Sequence, residues 1–125
     1  DVIKKNYRKK IILIDRFIDS TIAYQHFGMG ISKSLIKMLN KFLLGKIQPD
    51  LTILNLVSKK NLSKRLKKRK NKNRYDKFSY NFYSKVQKGF LTLAKNRKKY
   101  FIVNSDNDIN SNKANIIKII KKNIY

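Results

Sequence analysis

Residues 11–31 read IILIDRFIDSTIAYQHFGMGI, and this stretch decides how the rest of the chain is interpreted. An apolar run, Ile11 to Ile14, stops at the charged pair Asp15-Arg16. Polar side chains then recur at a helical spacing, at Ser20, Thr21, Tyr24 and Gln25. A buried strand that ends in an acid–base pair and turns into a polar-faced helix has the layout of an active-site edge. Ligands of open α/β sheets bind outside the carboxyl ends of the strands, which is where this pair is placed.

The composition bounds the class of protein. The length of 125 residues allows one domain, and the hydrophobic fraction of 42% supports a packed core. The absence of cysteine excludes a disulfide framework and thiolate metal sites. The apolar runs are far shorter than the roughly 20 residues of a membrane span, so no membrane partner is expected. The first residues, DVIKKNYRKK, have neither an apolar region nor an initiating Met, so we expect an internal start and not a signal peptide.

The formal net charge of +24 raises the question of nucleic-acid binding. The 31 basic residues comprise 25 Lys and 6 Arg, all seven acidic residues are Asp, and Lys, Asn and Ile dominate the chain. These three residues have A/T-rich codons, so we interpret the charge as nucleotide bias acting on solvated faces. The basic residues are spread along the chain, which predicts non-specific, salt-dependent attraction to polyanions and argues against sequence-specific binding.

Hydrophobic periodicity predicts a parallel α/β sheet, because apolar strands alternate with helical segments. The predicted strands are residues 11–14, 51–57 and 100–103. The predicted helices are residues 2–9, 20–27, 32–44, a short basic helix from Asn61 or Ser63, 79–96 and 114–124. Ser32 and Gly45 are the expected ends of the third helix. Residues 65–77 are predicted to be a mobile charged segment, and residues 104–113 a loop.

The pair Asp15-Arg16 is the first candidate for chemistry. A carboxylate at a strand end can hold Mg²⁺ or the waters around it. A neighbouring guanidinium can clamp a phosphate through two parallel hydrogen bonds. The alternative is a structural ion pair at the entry to a helix.

Two further groups of side chains fit a nucleotide. Thr21, Tyr24 and Gln25 are spaced by three and four residues, so one helix face would present a hydroxyl, a phenol and a carboxamide to a planar heterocycle. The alternative is that Tyr24 simply packs against the core. Three arginines of the basic segment would close over phosphates as a lid, or else belong to a solvated loop: Arg65, Arg69 and Arg74.

Several kinds of site are excluded by the sequence. His26 is the sole histidine, so no Ser/His/Asp triad is available, and we assign it no role. No group of residues has metal-ligand spacing. The 125 residues contain no GxxxxGK[ST] motif, and the four glycines are too scattered to build one. If the protein handles a nucleotide, the loop that cradles its phosphates lies outside these residues.

Four motifs together resemble the thymidylate kinase family. DRFIDSTIAYQ (15–25) is similar to the family's DRYxDSSxAYQG, and PDLTILNL (49–56) to its PDLTxxLDV strand. NRYDK (73–77) stands where the family usually has Asp-Arg-x-Glu, and FYSKVQKGFLTLAKN (82–96) matches the helix with its VRxGYLxLA pattern. The order and spacing agree over essentially the whole chain, and the AYQ-bearing motif is specific to the family.

The resemblance implies phosphoryl transfer from ATP to the 5′-phosphate of dTMP, giving dTDP for dTTP biosynthesis, with Mg²⁺ as cofactor. By position, Asp15 and Arg16 match the catalytic pair, with Asp15 near the metal, directly or through water. The thymidylate pocket would comprise Arg16, Ser20, Thr21, Tyr24 and Gln25. Arg65, Arg69 and Arg74 would be lid arginines that stabilise charge on the transferred group.

The resemblance also implies a P-loop NTPase-like fold, a three-layer parallel sheet with helices on both faces, here incomplete because the first strands are missing. Residues 1–125 would be the C-terminal part of one domain, with a lid at about 65–78. In the implied strand order, 2-3-1-4-5, the phosphate-loop strand separates residues 11–15 from 51–57. Without it, each of those strands has an unpaired edge facing a gap, and we expect the chain alone to be inactive.

The sequence departs from the family pattern at several positions. Asn73, Asp76 and Asn55 stand where the family usually has Asp, Glu and Asp, and His26 replaces a usual Gly. The loss of a charge at Asn73 weakens the lid assignment most.

Other functions and partners remain open at this stage. The chain is alternatively a non-catalytic basic remnant that binds nucleic acid non-specifically, or a kinase for another nucleoside monophosphate. The resemblance implies a homodimer when the protein is complete. It also implies a location in the cytoplasm, or in the matrix or stroma of an organelle with an A/T-rich genome.

Overall fold

The computed structural model describes residues 2–70 and 77–124, in which helices alternate with two strands. The helices before the first strand are α1 (Val2–Asn6), α2 (Ile18–Thr21), a π-helix (Ile22–Gly28) and α3 (Lys33–Leu44). Strand β1 (Thr52–Leu56) is followed by α4 (Lys59–Lys68), α5 (Tyr80–Lys95), strand β2 (Tyr100–Asn104) and α6 (Ile109–Ile124). No helix in the described ranges has the length and apolar character needed to cross a membrane.

The two strands form a parallel pair. Their register runs from Thr52 opposite Tyr100 to Leu56 opposite Asn104. Helices α4 and α5 lie between the strands in sequence, so the connection is the helical crossover that parallel strands require. Val103 is almost completely buried. The predicted parallel sheet and the incomplete α/β class are therefore confirmed.

The prediction of a third, buried strand at residues 11–14 is wrong for this structure. The segment is extended but unpaired, and the side chains of Ile11 and Leu13 are 57% and 85% exposed. A strand needs a neighbour for its N–H and C=O groups. Strand β1 is paired with β2 on one edge, and a cavity lies between β1 and residues 11–14.

The best-packed contact joins α2 and the π-helix to α5. Ala23, Phe82 and Val86 form a buried cluster, around which Tyr24, Phe78, Tyr83 and Phe90 pack. Two glycines allow this close approach. A Cβ atom on Gly89 would lie 2.6 Å from the Phe27 ring, and one on Gly28 would lie 2.5 Å from the Phe82 ring.

Capping side chains set the boundaries of α3 and α4, of which α3 begins as predicted and α4 begins earlier. Ser32 caps α3 by accepting from the Leu35 N–H, as predicted, and Gly45 ends it at φ +63°. Helix α4 begins before the predicted Asn61 or Ser63, because the Ser58 hydroxyl accepts from the Asn61 N–H.

The last helix also begins earlier than predicted. The loop expected over residues 104–113 ends at Asp108, and α6 begins at Ile109 instead of Ala114. Asp108 explains the difference, because its carboxylate accepts from the backbone N–H of Ser111 and also contacts the Ser111 hydroxyl. A capping aspartate inside a polar run thus starts a helix that the apolar pattern detects one turn later.

Candidate active site

One cavity of about 1310 Å³ gathers most of the predicted site residues. Its wall runs from residues 11–17 past β1 to α4. The predicted residues that line it are Asp15, Arg16, Ser20, Tyr24, Arg65 and Arg69. Charged groups separated by up to 54 positions in the sequence therefore face one space. More cationic than acidic side chains line it, which favours a phosphorylated ligand.

Arg16 is held in an uncommon backbone conformation. Its φ angle is +63°, in the left-handed region that residues other than glycine rarely adopt. Its guanidinium carbon lies 5.2 Å from the centre of the Tyr24 ring, within the range of a cation–π interaction. Left-handed residues cluster at ligand sites because the surroundings impose the conformation. The structure thus fixes a guanidinium over an aromatic ring beside Asp15.

Tyr24 belongs both to the cavity wall and to the helix packing. Its ring meets those of Phe82 and Phe90 edge to face, at centroid distances of 6.0 and 6.4 Å. Such aromatic pairs add about 0.5–1.5 kcal/mol beyond the burial of their surface. The position of the ring under Arg16 is therefore set by α5.

The residues predicted to bind thymidylate lie in two different environments. Ser20 and Tyr24 line the cavity, whereas Thr21 is exposed and neither Thr21 nor Gln25 lines it. The cause is the π-helix, in which the Met29 N–H donates to the Tyr24 carbonyl five residues earlier, at 3.0 Å. This wider turn changes the angular spacing on which the one-face prediction depends.

Gln25 and His26 also have defined places within the π-helix. The Oε1 atom of Gln25 is buried and has no hydrogen-bond partner among the described residues. His26 Nδ1 lies 2.8 Å from the Ile31 carbonyl oxygen, so the sole histidine stabilises the end of the π-helix.

Asp15 fits a metal role in one respect. It is exposed at the cavity and forms no ion pair with any residue of the described ranges. Within those ranges no three His, Cys, Asp or Glu residues come together as a metal cage. Mg²⁺ in phosphoryl-transfer sites is held by one or two carboxylates together with substrate phosphates. Asp15 alone fits that arrangement, and a dedicated metal site does not.

The lid arginines are partly described. Arg65 and Arg69 lie on and just after α4, and Arg65 Nη2 donates to the Ser105 carbonyl at 2.8 Å. The third arginine, Arg74, lies outside the described residues, as do the departures at Asn73 and Asp76. The structure therefore brings two of the three lid arginines to the cavity.

The N-terminal end of α4 is hydrogen-bonded to the loop after β2. The Asp106 carboxylate accepts from the Ser58 N–H at 3.2 Å and from Asn61 Nδ2 at 3.0 Å. These hydrogen bonds, led by that from Asn61, lower the pKa of Asp106 below its usual value. Because Arg65 contacts the neighbouring Ser105, the helix that carries Arg65 and precedes Arg69 is tied to the carboxyl end of β2.

Sequence reasoning missed one group of residues beside the cavity. Asp19 is buried, and its Oδ2 accepts from Arg97 Nη1 at 2.8 Å. Burial raises the pKa of Asp19, and the charge of Arg97 opposes that shift. Burial, followed by the charge of Asp19, raises the pKa of Tyr100 to about 12. The signal in the sequence was an aspartate placed among helix residues in a chain with seven acids.

Comparison with known proteins gives one consistent result. The family model described as thymidylate kinase matches residues 1–116. A thymidylate kinase of Wolbachia pipientis from Culex pipiens is 41% identical over 117 residues, covering 90% of this chain and 55% of the relative. One from Mycoplasma capricolum is 40% identical over 123 residues, covering 95% of this chain and 58% of the relative.

A more distant bacterium gives the same match. The thymidylate kinase of Kosmotoga olearia is 35% identical over 96 residues, which cover 77% of this chain and 46% of the relative. The chain thus spans about half the length of the curated relatives it matches.

Proposed function

The chain belongs to the thymidylate kinase family, a family of P-loop NTPases, and we propose that it forms the thymidylate-binding side of a dTMP kinase. The observation that carries this proposal is the juxtaposition of Asp15, Arg16 and Tyr24 at the cavity that Arg65 and Arg69 also line. A fixed guanidinium over an aromatic ring, beside a free carboxylate, suits a ligand with a phosphate and a planar base.

The proposed reaction transfers the γ-phosphoryl group of ATP to dTMP. An oxygen of the dTMP 5′-phosphate forms a bond to the γ-phosphorus, the bond from that phosphorus to the bridging oxygen breaks, and dTDP and ADP leave. Arg16 binds and orients the 5′-phosphate. Ser20 and Tyr24 contact the nucleoside, while Thr21 and Gln25 reach the base only if the π-helix turns on binding.

The proposed role of the lid is electrostatic. Arg65 and Arg69, with Arg74, stabilise the negative charge that spreads over the transferred group, and closure of α4 over the cavity excludes water. Arg65 must leave the Ser105 carbonyl to do this. Asp15 would hold Mg²⁺ directly or through water, and the bound metal would neutralise phosphate charge.

We propose that the 125-residue chain alone does not catalyse the phosphoryl transfer. They contain no GxxxxGK[ST] sequence, and hence no loop of backbone N–H groups to hold the ATP phosphates. Residues 1–125 would then be part of a single domain, with a lid at about 65–78. An assay of ADP release from ATP and dTMP tests this directly, since measurable turnover by this chain contradicts the proposal.

Binding of dTMP is the first test of the function. Calorimetric titration of the 125-residue chain with dTMP at about 150 mM salt is expected to give saturable binding, and thymidine without its phosphate is expected to bind more weakly. Equal affinity for dTMP and thymidine would contradict a phosphate role for Arg16. No binding of either would contradict the proposed function.

A second candidate function rests on the exposed basic face of α4. Its exposed cations are Lys59, Lys60, Lys64, Arg65, Lys67 and Lys68, and Arg69 follows them. Such a face attracts phosphate backbones without sequence preference. Binding of duplex DNA that falls steeply with salt, together with no binding of dTMP, would favour a non-catalytic polyanion-binding protein.

A homodimer is a further part of the proposal for the complete protein. Helix α3 buries Ile36 but leaves most of its other apolar side chains uncovered, and Phe42 is 84% exposed. An apolar helix face of this kind is typical of an interface. Sedimentation of the chain and of Phe42→Asp tests this, because the variant is expected to be monomeric where the parent self-associates. The cytoplasm, or an organelle matrix or stroma, is the proposed compartment.

A further inference from the structure

The buried carboxylate Asp19 belongs to the motif DRFIDSTIAYQ and lines the cavity, but the proposed reaction gives it no role. It is 6% exposed, although most acidic side chains of the described chain lie at the surface. Its Oδ2 atom is paired with Arg97, while Oδ1 is buried with no hydrogen-bond partner among the described residues. Burial of a charge is costly unless the pairing is good, so this position needs a physical reason.

Asp19, Arg97 and Tyr100 connect three parts of the fold. Asp19 lies in α2, Arg97 in the connection after α5, and Tyr100 is the first residue of β2. The Arg97 guanidinium lies 2.8 Å from the carboxylate and 6.0 Å from the centre of the Tyr100 ring. Tyr100 is in turn paired with Thr52 of β1. The three side chains therefore join the start of α2 to the sheet.

Arg16 lies three residues before Asp19 and needs such an anchor. Its left-handed backbone is unfavourable for a residue with a side chain, and it persists only if the flanking chain is held. On its N-terminal side, residues 11–14 are unpaired and exposed. Among the described residues, the nearest side-chain hydrogen bond to Arg16 along the chain is that of Asp19 to Arg97.

We propose that Asp19, Arg97 and Tyr100 form a positioning clamp, which holds Arg16 over the Tyr24 ring and so prepares the site for the thymidylate phosphate. Asp19 and Tyr100 also line the cavity, but the role proposed for the clamp is indirect. They act through the conformation of residues 16–19, and this assignment rests on the proposed function only for its effect on ligand affinity.

The clamp is testable without any ligand. The Arg16 guanidinium lies over the Tyr24 ring, so the NMR resonance of its Nε–H proton is expected to be shifted upfield by the ring current of Tyr24. The six arginines give few such signals, and Arg16→Lys assigns this one by its loss. In Asp19→Asn and Arg97→Ala the upfield shift is expected to disappear, because the start of α2 is released.

Conservative variants separate positioning from folding. Arg97→Lys keeps the charge and is expected to retain part of the shift. Tyr100→Phe removes the hydroxyl that interacts with the Asp19 carboxylate and is expected to reduce the shift. Asp106→Asn is the matched control, since it removes hydrogen bonds at the opposite end of β2 and is expected to leave the Arg16 resonance in place. Each variant is first checked for a parent-like amide spectrum of α5.

The outcomes are distinct. An unchanged Arg16 resonance in Arg97→Lys and Tyr100→Phe, and in whichever of the stronger variants fold, would overturn the clamp and leave a purely structural ion pair. Where the shift is lost, the dissociation constant for dTMP is expected to rise roughly tenfold. If the shift responds as expected but the parent chain does not bind dTMP, the clamp stands and the proposed function fails.

Discussion

The residues on either side of Asp15-Arg16 are equally apolar but have opposite environments. Residues 11–14 are unpaired, with Leu13 85% exposed, whereas Ile22 and Ala23 are buried against α5. Both segments have the composition of a core, and what differs is the neighbour. Helix α5 covers the second segment, and no described strand pairs with the first. The candidate site therefore lies at the junction of a packed region and an unpaired one.

The largest expected effect is a loss of stability when the packed region is disrupted. Phe82 is buried between Tyr24, Phe78 and Tyr83, so Phe82→Ala is expected to lower the free energy of unfolding by about 3–5 kcal/mol. Urea denaturation followed by circular dichroism measures this. Ile109→Ala is the control, because that side chain is 84% exposed and its loss is expected to matter little. Equal effects would remove the contrast between buried and exposed apolar residues.

A smaller loss of stability is expected from overpacking the contact between α5 and the π-helix. In Gly89→Ala the new Cβ atom would lie 2.6 Å from the Phe27 ring and 2.9 Å from its Cβ atom, which cannot rotate away. The expected cost is about 1–3 kcal/mol, less the gain in helix propensity. Ser84→Ala, at an exposed position of the same helix, serves as the reference. A Gly89→Ala variant as stable as the reference would show that the helices are not in close contact.

The pH dependence of stability distinguishes the anchored side of the site from the unpaired side. Because burial raises the pKa of Asp19, the folded protein binds this proton more tightly than the unfolded chain does. The contribution of Asp19 to stability is then greatest below its ordinary pKa of 3.8 and is lost as the pH rises through the raised value.

Comparison with a non-titrating variant isolates this group. The stability of the parent chain relative to Asp19→Asn is expected to increase as the pH falls from about 7 to 4, in denaturation series at each pH. A difference that shrinks on acidification would mean that the pairing with Arg97 outweighs burial, and that the pKa of Asp19 is lowered instead.

The smallest effect is expected in the unpaired segment. Leu13→Ser removes an apolar side chain that is 85% exposed, so the free energy of unfolding is expected to change by no more than about 0.5 kcal/mol. The same urea series measures it. A loss near that of Phe82→Ala would show that residues 11–14 are covered in solution, and the contrast between the two regions would fail.

The sequence predicted the elements whose stabilising partners are local. Ser32 and Gly45 bound α3 as expected, since a cap depends on residues within one turn. The helix 79–96 and the strands 51–57 and 100–103 were also found within one or two residues at each end. Periodicity and capping carry this information directly.

The features that the sequence did not predict depend on distant or subtle partners. Residues 11–14 have a strand composition, but strand formation requires a neighbouring backbone. The π-helix differs from an α-helix by one residue per turn, which no pattern of apolar residues resolves at this length. The pairing of Asp19 with Arg97 joins positions 78 residues apart, so only the fold brings them together.

The sequence predicted some residues of the candidate site but not others. The charged pair, Ser20, Tyr24 and two lid arginines do line one cavity, as motif positions had suggested. Thr21 and Gln25 do not line it, and their role in binding the base stays a prediction. Arg74 lies outside the described residues, so its role is equally a prediction.

The most direct test of the thymidylate site is the affinity of dTMP for Arg16→Ala compared with that for Arg8→Ala. The two arginines are closely matched, because both line the cavity, and Arg8 also has a left-handed backbone, at φ +64°, and lies 5.4 Å from the centre of the Tyr7 ring. Calorimetry is expected to show a roughly ten- to hundredfold loss for Arg16→Ala, the value of a charge-assisted contact to phosphate. Arg8→Ala is expected to change the dissociation constant less than threefold. Equal losses in the two variants would contradict a thymidylate site at Asp15, Arg16 and Tyr24.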